Sequence, residues 1–560
     1  MSVSYRRFLA GAAAVAAGLA FIPSQAVAAD SHSTPSSAKA AGAHAAVQAP
    51  KPEFQTFSGS VSAQQSVKPN AQPQAGALSV GNATLGASLH AVQATARSIE
   101  LSISATSDTW PITATINWGD GSPTTPVTIY STAEVKQTHT YAHLGSYAIS
   151  VSLADGAANT VNGGLNVVTA GNAYTAYGPT RLLDTRNGTG APAAKVGAYG
   201  TSRIKIAGNG GIPAGVTAVA LNVTVTNPET PGHVTVYGEG DARPTTSNLN
   251  YAPGQTVPNL VIAPVGANGY VDLYNGGWGN VDLIADVTGY FTQSQASGYT
   301  PVNPQRLLDT RDGTGAPRGQ VAAYGTVPVT IPTNAQVPDS KFTAVALNVT
   351  VTNPGSDGHL TVYPSGQSLP TASNVNFTVG QTVANSVIVP VGADGRIQIQ
   401  NGAWKASDVI VDVVGYYTQN SQSAYIPVNP DRLVDTRDPS WGHPLYAYDA
   451  NYGGFDYVPL DLGSWDSNIT GWALNATVTN TAGDGHLSVA PDPNTKAAYQ
   501  GNYATMPPVP NVSSLNWKRG DTVPNLVQAN TGTTGLVDFW NVSFGETDLI
   551  VDMFGFYDKS

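Results

Sequence analysis

Arg181-Leu182-Leu183-Asp184-Thr185-Arg186 returns as Arg306 to Arg311 and again as Arg432-Leu433-Val434-Asp435-Thr436-Arg437. Two further words recur in the same order. The strand-like Ala220-Leu221-Asn222-Val223-Thr224-Val225-Thr226-Asn227 returns at 346–353 and 473–480, and Asp286-Val287-Thr288-Gly289-Tyr290-Phe291 returns at 412–417 and 552–557. Self-similarity at a fixed spacing is the signature of a repeat architecture. The copies span 174–292, 299–418 and 425–558, each about 120 residues, which is too long for a propeller blade and suits an independent β-sandwich. In the Leu221 strand, Leu221, Val223 and Val225 point one way and Asn222, Thr224 and Thr226 the other, so the reading expects one core face and one polar face. The third copy carries an insertion near 492–510, read as an enlarged loop. Polar stretches at 294–297 and 420–423 are expected to separate the cores and to be open to proteolysis.

Composition agrees with this reading. Charged residues make up only 11% of the 560, with 59 Gly and 39 Pro, a balance that favours strands and turns over helices. The expected class is all-β. A net charge of -11 without Lys/Arg clusters beyond the extreme N-terminus argues against a nucleic-acid partner. No cysteine is present, which excludes disulfides, thiolate metal sites and a cysteine nucleophile. Arg6 and Arg7 precede an apolar run from Phe8 to Ile22 and a small-residue site at Ala26-Val27-Ala28, the pattern of a signal peptide over 1–28. That run is short and Ala/Gly-rich, and no other stretch reaches the roughly 18 apolar residues of a membrane span. Residues 29–79 are rich in Ala, Ser, Pro and Gln and read as a disordered spacer. The strand-like end before Asp558-Lys559-Ser560 leads to the expectation that any attachment to a cell is non-covalent.

Between 80 and 170, period-two stretches flank Trp118-Gly119-Asp120-Gly121-Ser122, which precedes His139-Thr140-Tyr141-Ala142-His143-Leu144-Gly145-Ser146-Tyr147. The two words together resemble the PKD family, with its W-x-x-G-D-G-like turn and H-x-Y-x-x-x-G-x-Y strand; the turn here lacks one residue of the usual pattern. The resemblance implies an immunoglobulin-type, non-catalytic module. The three repeats resemble segments of actinobacterial secreted proteins, some of which stand beside cell-wall or polysaccharide-degrading domains, and this implies an accessory or surface-associated role. Together these give one PKD-like sandwich followed by three tandem β-sandwich repeats.

In so uncharged a chain, the charges that recur stand out. Arg181, Asp184, Arg186 and Asp286, then Arg306, Asp309, Arg311 and Asp412, then Arg432, Asp435, Arg437 and Asp552 read as ion networks fixing the terminal strands, since buried charges must be paired. Asp282 and Asp286 share a strand face about 13 Å apart, beyond the roughly 5 to 9.5 Å of a glycosidase pair. Asp309-Thr310-Arg311-Asp312-Gly313 has calcium-loop elements, but Asn187 stands at the Asp312 position in the first copy, the third runs Asp438-Pro439-Ser440 and the intervening arginine repels a cation, which favours a turn and no metal site. His233, His359 and His486 each follow a glycine and lack a partner motif, so they read as hairpin histidines rather than catalytic bases.

The remaining candidates are aromatic. Three residues after Asn275, Asn401 and Asn541 stand Trp278, Trp404 and Phe544. Such a ring either stacks on a sugar or a partner protein, or folds back to cap the sandwich. The favoured expectation is a secreted, non-catalytic binding or scaffold protein without cofactors, with cell-envelope or extracellular polysaccharide as partner. Two rivals are a polysaccharide hydrolase with its site in the divergent third copy, and a structural subunit that packs with another secreted or surface protein.

Overall fold

A computed structural model describes residues 54–62, 84–157, 159–333, 341–441, 443–450 and 454–560. The stretch 1–28, read as a signal peptide, lies outside the described residues, as does most of the 29–79 segment read as a spacer. Part of that spacer, however, is a strand. Thr56–Ser62 pairs along its length with Gly86–Gln93 and touches Thr160–Val168 at Ser60 and Val61. It carries too few large apolar residues to announce itself, and its partners supply the apolar side. It joins two halves of an eight-stranded sheet folded around Trp118, Leu101, Ile116 and Val151. Gly163 and Gly164 sit at the junction, where any Cβ would collide with the backbone of Ser60 and Ile149.

The PKD-like words meet inside this domain. The Trp118 and His139 rings stack at 4.7 Å, and Tyr141 stacks on Tyr147 at 3.8 Å. His139 Nε2 lies 2.8 Å from Asp120 Oδ2. Burial of Asp120 acts upward, but hydrogen bonds from Ser122 and His139 outweigh it and hold the carboxyl down at about 2.

Each repeat is a pair of four-stranded antiparallel sheets. In the first, the order is Val257–Pro264, Val216–Thr226, Asp282–Thr292, Ala173–Asp184 in one sheet and Thr201–Lys205, Tyr270–Asn275, Gly232–Gly238, Leu249–Tyr251 in the other. The second and third copies repeat both orders. Branched aliphatic residues at alternate positions fill the space between the two sheets: Val219, Leu221, Val223 and Val225 face Val234, Val236, Val271 and Leu273.

The polar face of the Leu221 strand is not solvated. Asn222 and Thr224 are 1% and 2% exposed, because the first sheets of all three repeats pack against one another. A cluster of Tyr174, Ala218, Leu260, Tyr299, Ala344, Tyr417, Tyr425, Ala473 and Tyr557 spans the three copies. Small Ala side chains let the sheets approach, and large rings fill the centre. The repeats therefore form a closed triangle, not a string of separate cores. Short backbone bridges link Tyr174 to Ser297 and Tyr299 to Ser423, and Asn172 to Tyr425 closes the ring. Ser297 and Ser423 are thereby buried, so these two connections are part of the structure and not the open linkers expected from their polarity.

Asparagines hold the triangle together. The strands beginning at Val257, Val383 and Val523 are sheet edges, whose free N–H groups need partners. Leu260 N–H donates to Asn385 Oδ1 (3.2 Å), Ser386 N–H to Asn525 Oδ1 (3.0 Å) and Leu526 N–H to Asn259 Oδ1 (3.1 Å). The amide nitrogens of the same three residues donate onward to Asn222, Asn348 and Asn475 Oδ1, each at 3.0 Å and each across a repeat boundary.

The triangle has two ends. The N-terminal eight-stranded domain sits at the end where each repeat starts: Ala96 N–H donates to Asp558 Oδ2 at 3.0 Å, and Gly171 N–H to the Ala96 carbonyl at 2.9 Å. Asp184, Thr226, Val257 and Asp282 lie at the other, distal end by their register.

Candidate functional site: paired aromatics on the distal face

The charged words form local ion networks. Arg181 reaches Asp286 (2.9 Å) and Asp184 (3.2 Å), and Arg186 pairs with Asp184 (2.7 Å). Arg306, Asp309, Arg311 and Asp412 repeat this at 2.6 to 2.8 Å, as do Arg432, Asp435, Arg437 and Asp552. Arg181 and Arg306 also donate to the Thr371 and Asn511 carbonyls of the next repeat. Burial pushes the Asp286, Asp412 and Asp552 carboxyls up despite their arginines. Asp184 is held below its usual value by the Arg186 guanidinium. Asp286→Ala should cost about 2–3 kcal/mol, below the 3–5 of a fully buried pair because Arg181 keeps some solvent. Asp312→Ala, an exposed turn residue, should change stability by under about 0.5 kcal/mol. Equal urea midpoints for the two variants would remove this role for Asp286.

The other recurring polar residues are likewise engaged. Asp282 accepts from Thr185 (3.0 Å) and from the Asn227 amide (2.9 Å). Asp309 is occupied by Arg306 and Arg311, while Asp312 accepts from Thr314 N–H at 2.8 Å. His233 and His359 lie over Gly276 and Gly402, where a Cβ would collide with their rings. Burial lowers both imidazoles, and in His486 it lowers the value to about 4.

The aromatics stand apart from all of these. Trp278, Trp404 and Phe544 are 78%, 79% and 81% exposed, so they do not cap their sandwiches. Each lies in the loop entering the strands Asp282–Thr292, Asp408–Thr418 and Asp548–Asp558, which places all three at the distal end. Each has a second ring beside it: Tyr199 at 6.4 Å from Trp278, Tyr324 at 5.5 Å from Trp404 and Tyr448 at 5.4 Å from Phe544, with interplanar angles of 53°, 77° and 58°. The repeat Val196-Gly-Ala-Tyr-Gly-Thr201 and Val321-Ala-Ala-Tyr-Gly-Thr326 carried this signal, but reading the Trp loops alone missed it.

The pairs are built, not incidental. Asn275 is fully buried and its amide donates to Gly197 and Gly279 carbonyls, both at 2.9 Å, tying the Tyr199 loop to the Trp278 loop. Its Oδ1 accepts from Gly277 N–H (2.9 Å) and the Tyr251 hydroxyl (2.6 Å). Asn401 and Asn541 bridge the equivalent loops through Ala322 and Lys405 and through Tyr446 and Gly545. Tyr199 and Tyr324 are held at φ of 56° and 55°, a conformation costly for a large side chain. Loops fixed at such cost hold their rings side by side, so a flat apolar face can stack on them with little loss of backbone freedom.

No helix among the described residues is long and apolar enough to cross a membrane. No family model matches the chain, and no curated protein does. Among solved structures, the chain is similar to the N-terminal CBM22-1-CBM22-2 tandem domain from Paenibacillus barcinonensis Xyn10C, at 12% identity and a TM-score of 0.16 over 44% of this chain and 100% of that one. It is also similar to PNGF-II in two crystal forms, at 10% and 9% identity and TM-scores of 0.13 and 0.12 over 83% and 89% of this chain and 98% of those. Superpositions at these scores carry no argument about ligand or activity.

Proposed function

We propose that the protein is a secreted, non-catalytic scaffold that binds cell-envelope or extracellular polysaccharide through the three aromatic pairs of its distal face. The observation behind this reading is the triple occurrence of two exposed, non-parallel rings locked by a buried asparagine. A pyranose offers an apolar C–H face to such a ring, with a gain of order 1 kcal/mol beyond simple burial. Three weak sites on one rigid body then combine through effective concentration. Export by the Arg6-Arg7 signal suits a protein that meets such polysaccharide outside the cell, and the PKD-like domain at the opposite end leaves the aromatic face uncovered. Against the hydrolase reading, the two carboxyls that meet in the third repeat, Asp492 and Asp538, are buried and hydrogen-bond each other, which leaves no room for the sugar carbon that a glycosidase pair must flank.

Replacing Trp278, Trp404 and Phe544 together by Ala should abolish retention of the full chain on purified cell wall or insoluble polysaccharide, and each single change should weaken it partly. The melting temperature should stay nearly constant, because exposed rings contribute little to stability. Wild-type retention by the triple variant would sink the reading.

A further inference from the structure

On the axis of the triangle, at the distal end, lies a cavity of about 400 Å³. All three repeats line it with equivalent residues, among them Asn250, Asn376 and Asn516. It opens on the same end as the aromatic pairs and sits beside the Asn259, Asn385 and Asn525 ring, since Pro258, Ala384 and Pro524 belong to its wall. Its volume lies at the lower end of the roughly 300–1,000 Å³ of small-molecule sites.

The chemistry of the wall selects a ligand class. Gln255, Gln381 and Asp521 turn inward on their own loops, accepting from Ala252, Thr378 and Lys518 N–H. The asparagines are different. Asn250 and Asn376 accept from Ser247 (3.2 Å) and Ser373 (3.1 Å), which leaves their amide N–H groups to donate. Asn516 lacks the matching bond, and its Oδ1 is closed off from solvent, so the donors that face the cavity are the amides of Asn250 and Asn376. Lys518 and Asp521 balance in charge, and Val257, Val383 and Val523 supply an apolar side. Amide donors, an apolar wall and no net charge fit a neutral polyhydroxylated ring. Tyr251 lines the cavity and also bonds Asn275, the anchor of the Trp278 loop, so the cavity adjoins an aromatic pair.

We propose that this axial cavity is a separate subsite for a single neutral sugar, taking the end or a branch of the chain whose length lies across the aromatic tips. The inference rests on the glycan reading but uses none of the tip residues. Saturation-transfer NMR on the full chain with D-glucose, N-acetyl-D-glucosamine and D-glucuronate tests it. Both neutral sugars, or one of them, should bind, and glucuronate should bind at least tenfold more weakly. The triple aromatic variant should keep this binding, whereas Val383→Trp, which fills the cavity, and Asn376→Leu, which removes an amide donor, should each weaken it at least tenfold. Should Val383→Trp fail to fold, Asn376→Leu decides alone. Loss of the signal in the triple aromatic variant, equal binding of glucuronate, or no effect of the cavity variants would overturn the subsite. Polymer retention by the aromatic tips would stand in each of those cases, so the two readings fail separately.

Discussion

Asn385→Leu is expected to destabilise the full chain by about 5 kcal/mol and to loosen all three repeats together. The substitution strips partners from three buried groups at once: Leu260 N–H, Asn222 Oδ1 and the Asn374 carbonyl. Each such orphan costs about 1–3 kcal/mol, and Leu gives back only a modest apolar gain. The damage crosses a boundary, because Leu260 and Asn222 belong to the first repeat and Asn385 to the second. Urea unfolding followed by tryptophan fluorescence measures the loss, and hydrogen exchange at the Leu260 and Leu526 amides reports whether the ring opens as a unit. A loss below about 1 kcal/mol, or faster exchange confined to the second repeat, would show that the asparagine ring is not what joins the repeats.

That ring also explains what could and could not be read from the sequence. Period-two alternation identifies the two faces of the Leu221 strand, and the repeated words locate three sandwiches, because both signals are local. What covers the polar face is not local. Asn222 facing another repeat's asparagine and Asn222 facing water give the same pattern. The word Thr-Val-(Pro/Ala)-Asn at 256–259, 382–385 and 522–525 was a usable clue, since one amide repeated on an edge strand with small Ala residues nearby suits a buried polar contact. The Thr56–Ser62 strand was hidden for the same reason: its apolar partners lie far along the chain. The aromatic tips were legible because loop and ring are adjacent in sequence, whereas Tyr199 was missed because its pairing with Trp278 depends on Asn275 bridging residues about 80 positions apart.

The divergent third repeat yields a prediction of opposite sign to the first. In the first repeat Asp272 stands across from Arg203, 3.5 Å away. In the third, Asp538 takes the place of Asp272, and Pro459 takes that of the arginine. Asp492 then becomes the neighbour, hydrogen-bonded to Asp538, with Tyr499 bonded to Asp492 and Tyr457 to Tyr499. Lys496 of the same inserted segment is engaged by Asp461 at 2.8 Å. Burial first, and the Asp492 charge second, push Asp538 up to about 10. In the unfolded chain the same group titrates near 3.9. Between those values the folded state holds a proton that the unfolded state has lost, so stability declines as pH rises from about 4 towards 10, by up to about 1.4 kcal/mol per unit. Asp538→Asn keeps an N–H donor for Asp492 and removes the titration. It should match the wild type near pH 4 and exceed it by about 3 kcal/mol or more at pH 8, where local relaxation leaves only part of the limiting slope. Urea midpoints across pH 4–9 measure the divergence, and parallel curves for the two proteins would mean that Asp538 is ionised in the fold and that the carboxyl pair shares no proton.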